Sequence, residues 1–363
     1  MTGASSKSFQ TWMSGYESVV CEAFWVIALG SLVAAFLSGC NTSNGTLTSE
    51  LRLGYFANVT HAQALVGLAN GEFKKQLGSE VQLAPKLFGT GPAAIEALLA
   101  DEIDITYVGP SPAINGFVRS EGKALRVIAG AVQGGAVFVR RSDVTLNNKE
   151  DFSGKRFASP QIGNTQDISL RTYLAQMGHT TKERGGTVEV LPLANADILS
   201  LFLRKELAGA WVPEPWGAIL VHRAQAVILL DECALWPDGK FATTLLVASQ
   251  KILETRPEWV QGIVNAHVQL THWIQEHREE AGTLLNREIA RYTRKPLDEA
   301  VLADAMSRFV VSVDPVESSL EMFFNRARTL GYLKKGNLKG LLDLRYLEQA
   351  CSTSKTPTNS SGP

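Results

Sequence analysis

Cysteine is scarce in this chain. Its 363 residues hold four, Cys21, Cys40, Cys233 and Cys351, with no CxxC pair and no His or Cys at metal-ligand spacing, so neither a structural zinc site nor another metal is expected. An excess of one charge is missing too: 35 basic side chains face 36 acidic ones, and no block of like charges marks an acidic or basic tail. A nucleic-acid partner would require a basic footprint, and none is present. Glycine, at 31, and proline, at 14, stay near average usage, which excludes a collagen-like or largely disordered chain. GxSxG, HExxH and the phosphate-loop pattern GxxxxGKS/T are also absent.

What remains is ordinary globular material, 45% hydrophobic and 20% charged, long enough for two domains at roughly 100 to 200 residues each. One strongly apolar run, residues 23–37, leads into Leu37-Ser38-Gly39-Cys40. A leucine and two small residues before a cysteine resemble the bacterial lipobox, whose cysteine is acylated and becomes the new N-terminus. The run is short of the ~20 residues that span a bilayer and suits a signal-peptide core. Ahead of it stand Glu17 and Glu22 against a single Lys7, where a secretory signal begins with basic residues, and a start at Met13 would supply none. An uncleaved anchor therefore stays open beside the lipoprotein reading, and both place the body outside the cytoplasm. Residues 1–39 are expected as signal peptide, Cys40 as the lipidation site and 40–49 as a polar tether.

From Leu51 onward short apolar runs alternate with amphipathic stretches, the pattern of strands joined by helices in a mainly parallel sheet. Strands are expected at 51–56, 81–86, 103–108 and 125–131, with helices at 62–70, at 92–100 and after Pro112. A strand at 136–140 leaves this unit after Gln133-Gly134-Gly135. A second set repeats the scheme: strands at 156–158, 188–192 and 208–212, and helices at 166–177, 196–204 and 216–223. Runs at 227–230 and 243–249 carry the chain back, and beyond Pro257 it reads as helical through Ile274, Tyr292, Phe309 and Phe324. The expected fold is α/β: two doubly wound lobes, 50–135 with 241–350 including the C-terminal helices, and 136–240, with a ligand cleft between them. The Ser/Thr/Pro-rich stretch 351–363 is expected as a disordered tail.

Four loop-to-helix junctions present backbone N–H groups. Thr60 precedes Gln63 by three residues, a capping-box spacing. Gly89-Thr90-Gly91-Pro92 and Gly109-Pro110-Ser111-Pro112 combine glycines that admit close backbone approach with a proline at the helix start, Ser111 being the expected N-cap. Gly163-Asn164-Thr165-Gln166-Asp167 opens a helix whose apolar residues Leu170, Tyr173, Leu174 and Met177 share one face. Each alone reads as a simple cap. Together, with no Lys or Arg in any of them, they make an anion site out of helix N-termini at the carboxyl ends of strands.

Tyr55-Phe56-Ala57-Asn58-Val59-Thr60-His61-Ala62, Gly109-Pro110-Ser111-Pro112-Ala113, the run from Ser159 to Asp167, and Trp211-Val212-Pro213-Glu214-Pro215-Trp216 resemble the sulfonate, nitrate and taurine group of solute-binding proteins of ABC importers. The likeness spans 51–333. It implies a type II periplasmic-binding fold closing on a small oxyanionic solute, a permease with its ATPase as partners, no cofactor and a monomer. It also implies a ligand shell of Asn58, Thr60, His61, Gly89, Thr90, Gly91, Ser111, Asn164, Thr165 and Gln166, with Gly134 at the first crossing. Glu214 reads as a helix cap or as the contact for an amine on a zwitterionic ligand. Trp211 and Trp216 read as pocket walls or as core. His61, at a helix start that disfavours a cation, reads as a neutral donor or as a surface or cap-filling residue. Aliphatic sulfonate leads among ligands, with nitrate, bicarbonate and a thiamine-type pyrimidine as alternatives. An enzyme on the same fold is the rival class, and a sensor-domain partner without an importer is a third.

Overall fold

The computed structural model describes residues 49–354. The expected signal peptide, Cys40 and nearly all of the tether lie outside them, as does the chain from residue 355.

β1 (Ser49–Tyr55) buries Leu51, Leu53 and Tyr55 completely on its core side. A 3-10 turn, Val59–His61, leads into α1 (Ala62–Asn70), which stops at Gly71 in the left-handed conformation that favours glycine at a helix end. There follow α2 (Glu72–Leu77), β2 (Val81–Leu87), α3 (Gly91–Leu99), β3 (Ile105–Val108), α4 (Pro110–Arg119) and β4 (Leu125–Gly134). The chain crosses at Gly134 and Gly135, both at positive φ (72° and 75°), into β5 (Ala136–Arg141). The second set is β6 (Arg156–Ser159), α5 (Thr165–Gln176), β7 (Glu189–Pro192), α6 (Asn195–Leu203), β8 (Gly209–Pro213), α7 (Trp216–Ala224) and β9 (Ala226–Asp231). Residues 232–241 lead back to β10 (Ala242–Ser249). The remainder is α8 (Gln250–Thr255), α9 (Pro257–Glu276), α10 (Arg278–Thr293), α11 (Glu299–Ser307), β11 (Phe309–Val311), α12 (Glu317–Thr329) and α13 (Arg345–Ser354).

The first sheet runs β11-β4-β10-β3-β1-β2 and the second β7-β6-β8-β5-β9. β1 pairs parallel with β2 and β3, Leu51 opposite Leu83, and β6 pairs parallel with β7 and β8. β10 and β5 enter antiparallel, so the sheets are mixed rather than mainly parallel. Helices cover both faces of the first sheet. Leu65, Val264 and Leu285, of α1, α9 and α10, pack into one core, and Ile95, Ile114 and Phe323, of α3, α4 and α12, into the other. The second sheet has an aliphatic core under α6 and α7, and on its other face an aromatic one where Phe138 stacks on Trp211.

Three segments depart from the sequence reading. α2 was not expected, because six residues with Phe73 alone fully buried leave too little periodicity to see. Around Phe309 the chain is strand β11, pairing with β4, since Phe309-Val310-Val311 is β-favouring and meets a free sheet edge. Residues 351–354, assigned to the disordered tail, form the last turn of α13, which docks Tyr346, Leu347 and Ala350 against the first core.

Candidate ligand-binding site

A cavity of about 270 Å³ lies between the carboxyl ends of strands of both sheets. Loops after β1 and β2 bring Phe56, Ala57, Asn58, Thr60, His61, Phe88 and Gly89 to it from the first lobe, and β10 adds Thr243 and Thr244. From the second lobe come Asn164, Thr165 and Gln166 at the start of α5, Ala194, Asn195 and Ala196 at the start of α6, and Pro213 and Trp216 flanking the turn into α7. No Lys, Arg, Asp or Glu lines it. The first turns of α5 and α6 nevertheless bring orphan N–H groups and the positive ends of two helix dipoles to its wall.

His61 is buried, and its Nδ1 accepts the Phe56 N–H at 3.3 Å while its ring stacks on Phe56 with centroids 4.3 Å apart. Burial holds its pKa down at about 3, so the imidazole is neutral and its proton sits on Nε2 as a donor. Asn58 caps the 3-10 turn with extended backbone, and its buried Oδ1 has no partner among the described residues. Asn164 Oδ1 accepts the Thr165 N–H at 3.0 Å. Thr165 reaches across to the first lobe, its Oγ1 accepting the Ser111 N–H at 3.4 Å.

That reach accounts for sequence-expected residues that do not line the cavity. A Cβ on Gly109 would fall 2.5 Å from Thr165 Oγ1, and one on Gly91 would fall 2.4 Å from Pro112 Cγ and 3.2 Å from Asn164 Oδ1. Thr165 thus packs over the start of α4, of which Gly109 alone lines the cavity, and Gly91 at the start of α3 packs first against Pro112 of its own lobe, so Thr90, Gly91 and Ser111 stay out of the lining. α4 begins at Pro110 with Gly109 as its cap, not at Ser111, whose buried Oγ has no partner among the described residues. Thr60 and Gln63 form no capping box: Gln63 turns into the core and donates to the Ala131 carbonyl at 2.7 Å and to Thr271 Oγ1 at 3.1 Å. Gly134, expected in the ligand shell, sits at the crossing between the lobes and does not line the cavity, its carbonyl taken by the Thr243 hydroxyl and its N–H given to the Phe241 carbonyl at 3.1 Å.

Glu214 lies behind the wall, fully buried. Its Oε2 accepts the Ala218 N–H at 2.9 Å in the first turn of α7, and its Oε1 pairs with Arg308 Nη1 at 2.7 Å. Burial pushes its pKa up, opposed by the Ala218 hydrogen bond and by Arg308. It caps a helix and pairs across the lobes, and makes no contact with the cavity. Trp216 is a wall residue, whereas Trp211 is core, its indole N–H donating to Glu232 at 2.6 Å. Asn195 escaped the sequence reading although it opens a helix after β7, the same signal used for the other junctions. Thr243 and Thr244 carried no local signal, because they reach the cavity from an antiparallel strand whose neighbours are remote in sequence.

Among the described residues no His/Cys/Asp/Glu cluster could hold a metal ion, and no helix is long and apolar enough to cross a membrane.

A binding protein of Brucella abortus (strain 2308) is 26% identical over 181 residues, 49% of this chain and 53% of the relative, so the chain spans about half the length of that relative. An aliphatic sulfonates-binding protein of Bacillus subtilis (strain 168) is 21% identical over 326 residues, 88% of this chain and 94% of that one. Among solved structures, the alkanesulfonate-binding protein SsuA from Xanthomonas axonopodis pv. citri bound to MOPS superposes with a TM-score of 0.65 at 19% identity, covering 83% of this chain and 97% of that one. The periplasmic nitrate-binding protein NrtA from Synechocystis PCC 6803 does so with a TM-score of 0.68 at 15% identity, covering 86% and 90%. At such identities the likeness is one of fold, the two-lobed α/β fold of periplasmic binding proteins. The NMT1-like family model matches residues 45–286, two thirds of the sequence, and the chain belongs to the NMT1-like family.

Proposed function

We propose that this chain is the solute-binding component of an ABC importer, held outside the cytoplasm by lipid on Cys40, and that it delivers a small oxyanionic solute to a permease with its ATPase. An aliphatic sulfonate, taurine-like ones included, is the first ligand. The observation that carries this reading is a cavity between two lobes that is lined by helix starts and neutral donors and by no charged side chain. A sulfonate keeps one negative charge at every physiological pH, so it needs several fixed donors and no proton partner. Asn164, Gln166 and Asn195 from one lobe, and Thr60, neutral His61 and Thr244 from the other, would supply them. Phe56, Phe88 and Trp216 would wall an organic tail, for which the cavity has room beside the anionic head. The names borne by the Bacillus and Xanthomonas proteins support the ligand class.

Titration calorimetry of the full chain against alkanesulfonates, taurine, nitrate, bicarbonate and thiamine-type pyrimidines tests the reading. Heat from sulfonates alone is the expected result, and saturable binding of nitrate or a pyrimidine with none of a sulfonate would replace the ligand. Mass spectrometry of membrane-extracted protein tests the anchor: an intact 1–39 segment without an acyl mass on Cys40 would refute it.

A further inference from the structure

The start of α5 supplies three cavity residues, and one carboxylate just inside the helix holds that start in place. Asp167 is fully buried and accepts four hydrogen bonds: Ser159 Oγ at 2.8 Å, the Gly163 N–H at 2.9 Å, Arg171 Nε at 2.9 Å and Tyr332 OH at 3.2 Å. The first three come from its own lobe and brace the loop between β6 and α5. The fourth comes from the other lobe, since Tyr332 follows α12, where Leu330 and Leu333 pack into the core of α3 and α4. A second bond crosses at the same place, from the Arg184 guanidinium of the second lobe to the Leu330 carbonyl. Neither Tyr332 nor Arg184 lines the cavity. Burial, with Asp167 beside it, holds the Tyr332 phenol well above its usual range, so it remains a donor throughout the physiological range.

We propose that Tyr332 and Arg184 form a clasp across the lobes that sets ligand affinity from outside the cavity, by holding the start of α5, and with it Asn164, Thr165 and Gln166, in the binding position. Tyr332 is a positioning residue: it acts on the ligand only through Asp167. The proposal rests on the cavity being the ligand site, as argued above. In a two-lobed binder the affinity is lowered by whatever fraction of molecules is not in the binding arrangement, so a bond that favours this arrangement tightens binding without touching the solute. Asp167 is suited to transmit this, because losing one of its four donors leaves three to keep the helix folded.

The test is Tyr332→Phe, which removes one hydroxyl and keeps the ring, beside the control Tyr346→Phe at a buried tyrosine that packs in the core of α1, α9 and α10 rather than the core that holds Ile168 of α5. Hydrogen exchange of the ligand-free full-length chain is read at residues 159–168, and taurine and butanesulfonate serve as calorimetric probes. The expected result for Tyr332→Phe is exchange at 159–168 about tenfold faster and probe binding about tenfold weaker, with a melting temperature close to wild type. Tyr346→Phe should move neither the local exchange nor the affinity. Wild-type exchange at 159–168 in Tyr332→Phe overturns the clasp, as does unchanged probe affinity with faster exchange. Should the wild-type chain bind neither probe, the sulfonate reading falls, and the exchange of the ligand-free chain still decides whether the clasp exists.

Discussion

The two lobes repeat one strand order, β2-β1-β3-β10-β4 in the first and β7-β6-β8-β5-β9 in the second, yet they present their helix starts differently. In the second lobe α5 and α6 open onto the cavity through Asn164, Thr165, Gln166 and Asn195. In the first lobe the turn into α1 does so through Asn58, Thr60 and His61, whereas α3 and α4 reach the cavity only through Gly89 and Gly109: the Ser111 N–H goes to Thr165, and Gly91 packs on Pro112 with Asn164 beside it. A strand followed by a Gly/Pro/Ser turn and a helix thus sets the direction of backbone donors, while the packing of the lobes decides whether solute or protein receives them.

The largest expected effect comes from breaking the tie between the lobes. Arg308→Met leaves the buried Glu214 carboxylate with only its helix N–H partner, and thermal or urea unfolding should show a loss of about 3 to 5 kcal/mol. Adding Glu214→Gln should recover most of it, and a single Arg308→Met variant of wild-type stability would show that the pair contributes little. Next come the donors. Gln166→Ala in the second lobe should weaken sulfonate binding by about 1.5 to 3 kcal/mol, the worth of a hydrogen bond to a charged group, whereas Thr90→Ala in the first should leave calorimetric affinity unchanged. Equal losses from both would erase the contrast between the lobes.

Acid should sharpen the comparison. Two fully buried histidines, His61 and His267, belong to the first lobe, and burial lowers their pKa values to about 3 and about 4. His267 accepts the Tyr107 hydroxyl on Nδ1 at 2.9 Å and donates Nε2–H to the Gly130 carbonyl at 2.7 Å, an arrangement for the neutral ring. Both are easier to protonate in the unfolded chain, whose histidines titrate near 6.5. Stability is therefore complete above that value and falls as pH drops through the window between it and the folded pKa values. At pH ~5 each should cost about 2 kcal/mol. Melting curves should show the loss, His267→Gln should remove about half of it, and exchange should rise first in the first lobe. The smallest expected effect is on binding. Neutral His61 and a non-titrating sulfonate predict affinity constant within about twofold from pH ~6 to ~8, and tightening near pH ~6.5 would mean that His61 titrates.

Local pattern carried most of the fold. Alternation and helical spacing placed β1 to β10 and the helices between them within a few residues, because each buries a face whose period shows in the sequence. α2 and β11 were illegible because six and three residues hold too little of either period. At the candidate site, the α5 junction was legible as a helix start with unpaired donors. Thr90, Gly91 and Ser111 carried the same signal, and the packing of Pro112, Asn164 and Thr165 against those turns separates the two cases. Glu214 was legible as a cap, but its partner Arg308 was not, being 94 residues away and followed by a strand read as helix.

The strand order also governs how such a chain comes together as it is made. β3 and β4 do not pair with each other; β10 lies between them, and it begins only at residue 242. Until the whole second lobe has emerged, the first sheet exists as two open pieces, each with a buried-type edge of Ile105 to Val108 or Leu125 to Val132 facing water. Unpaired apolar edges are templates for sticking to other chains, and contacts this distant in sequence form slowly. The second sheet has no such gap, since β5 to β9 are consecutive. An emerging chain would therefore complete its later lobe first and seal the earlier one with the strand that follows.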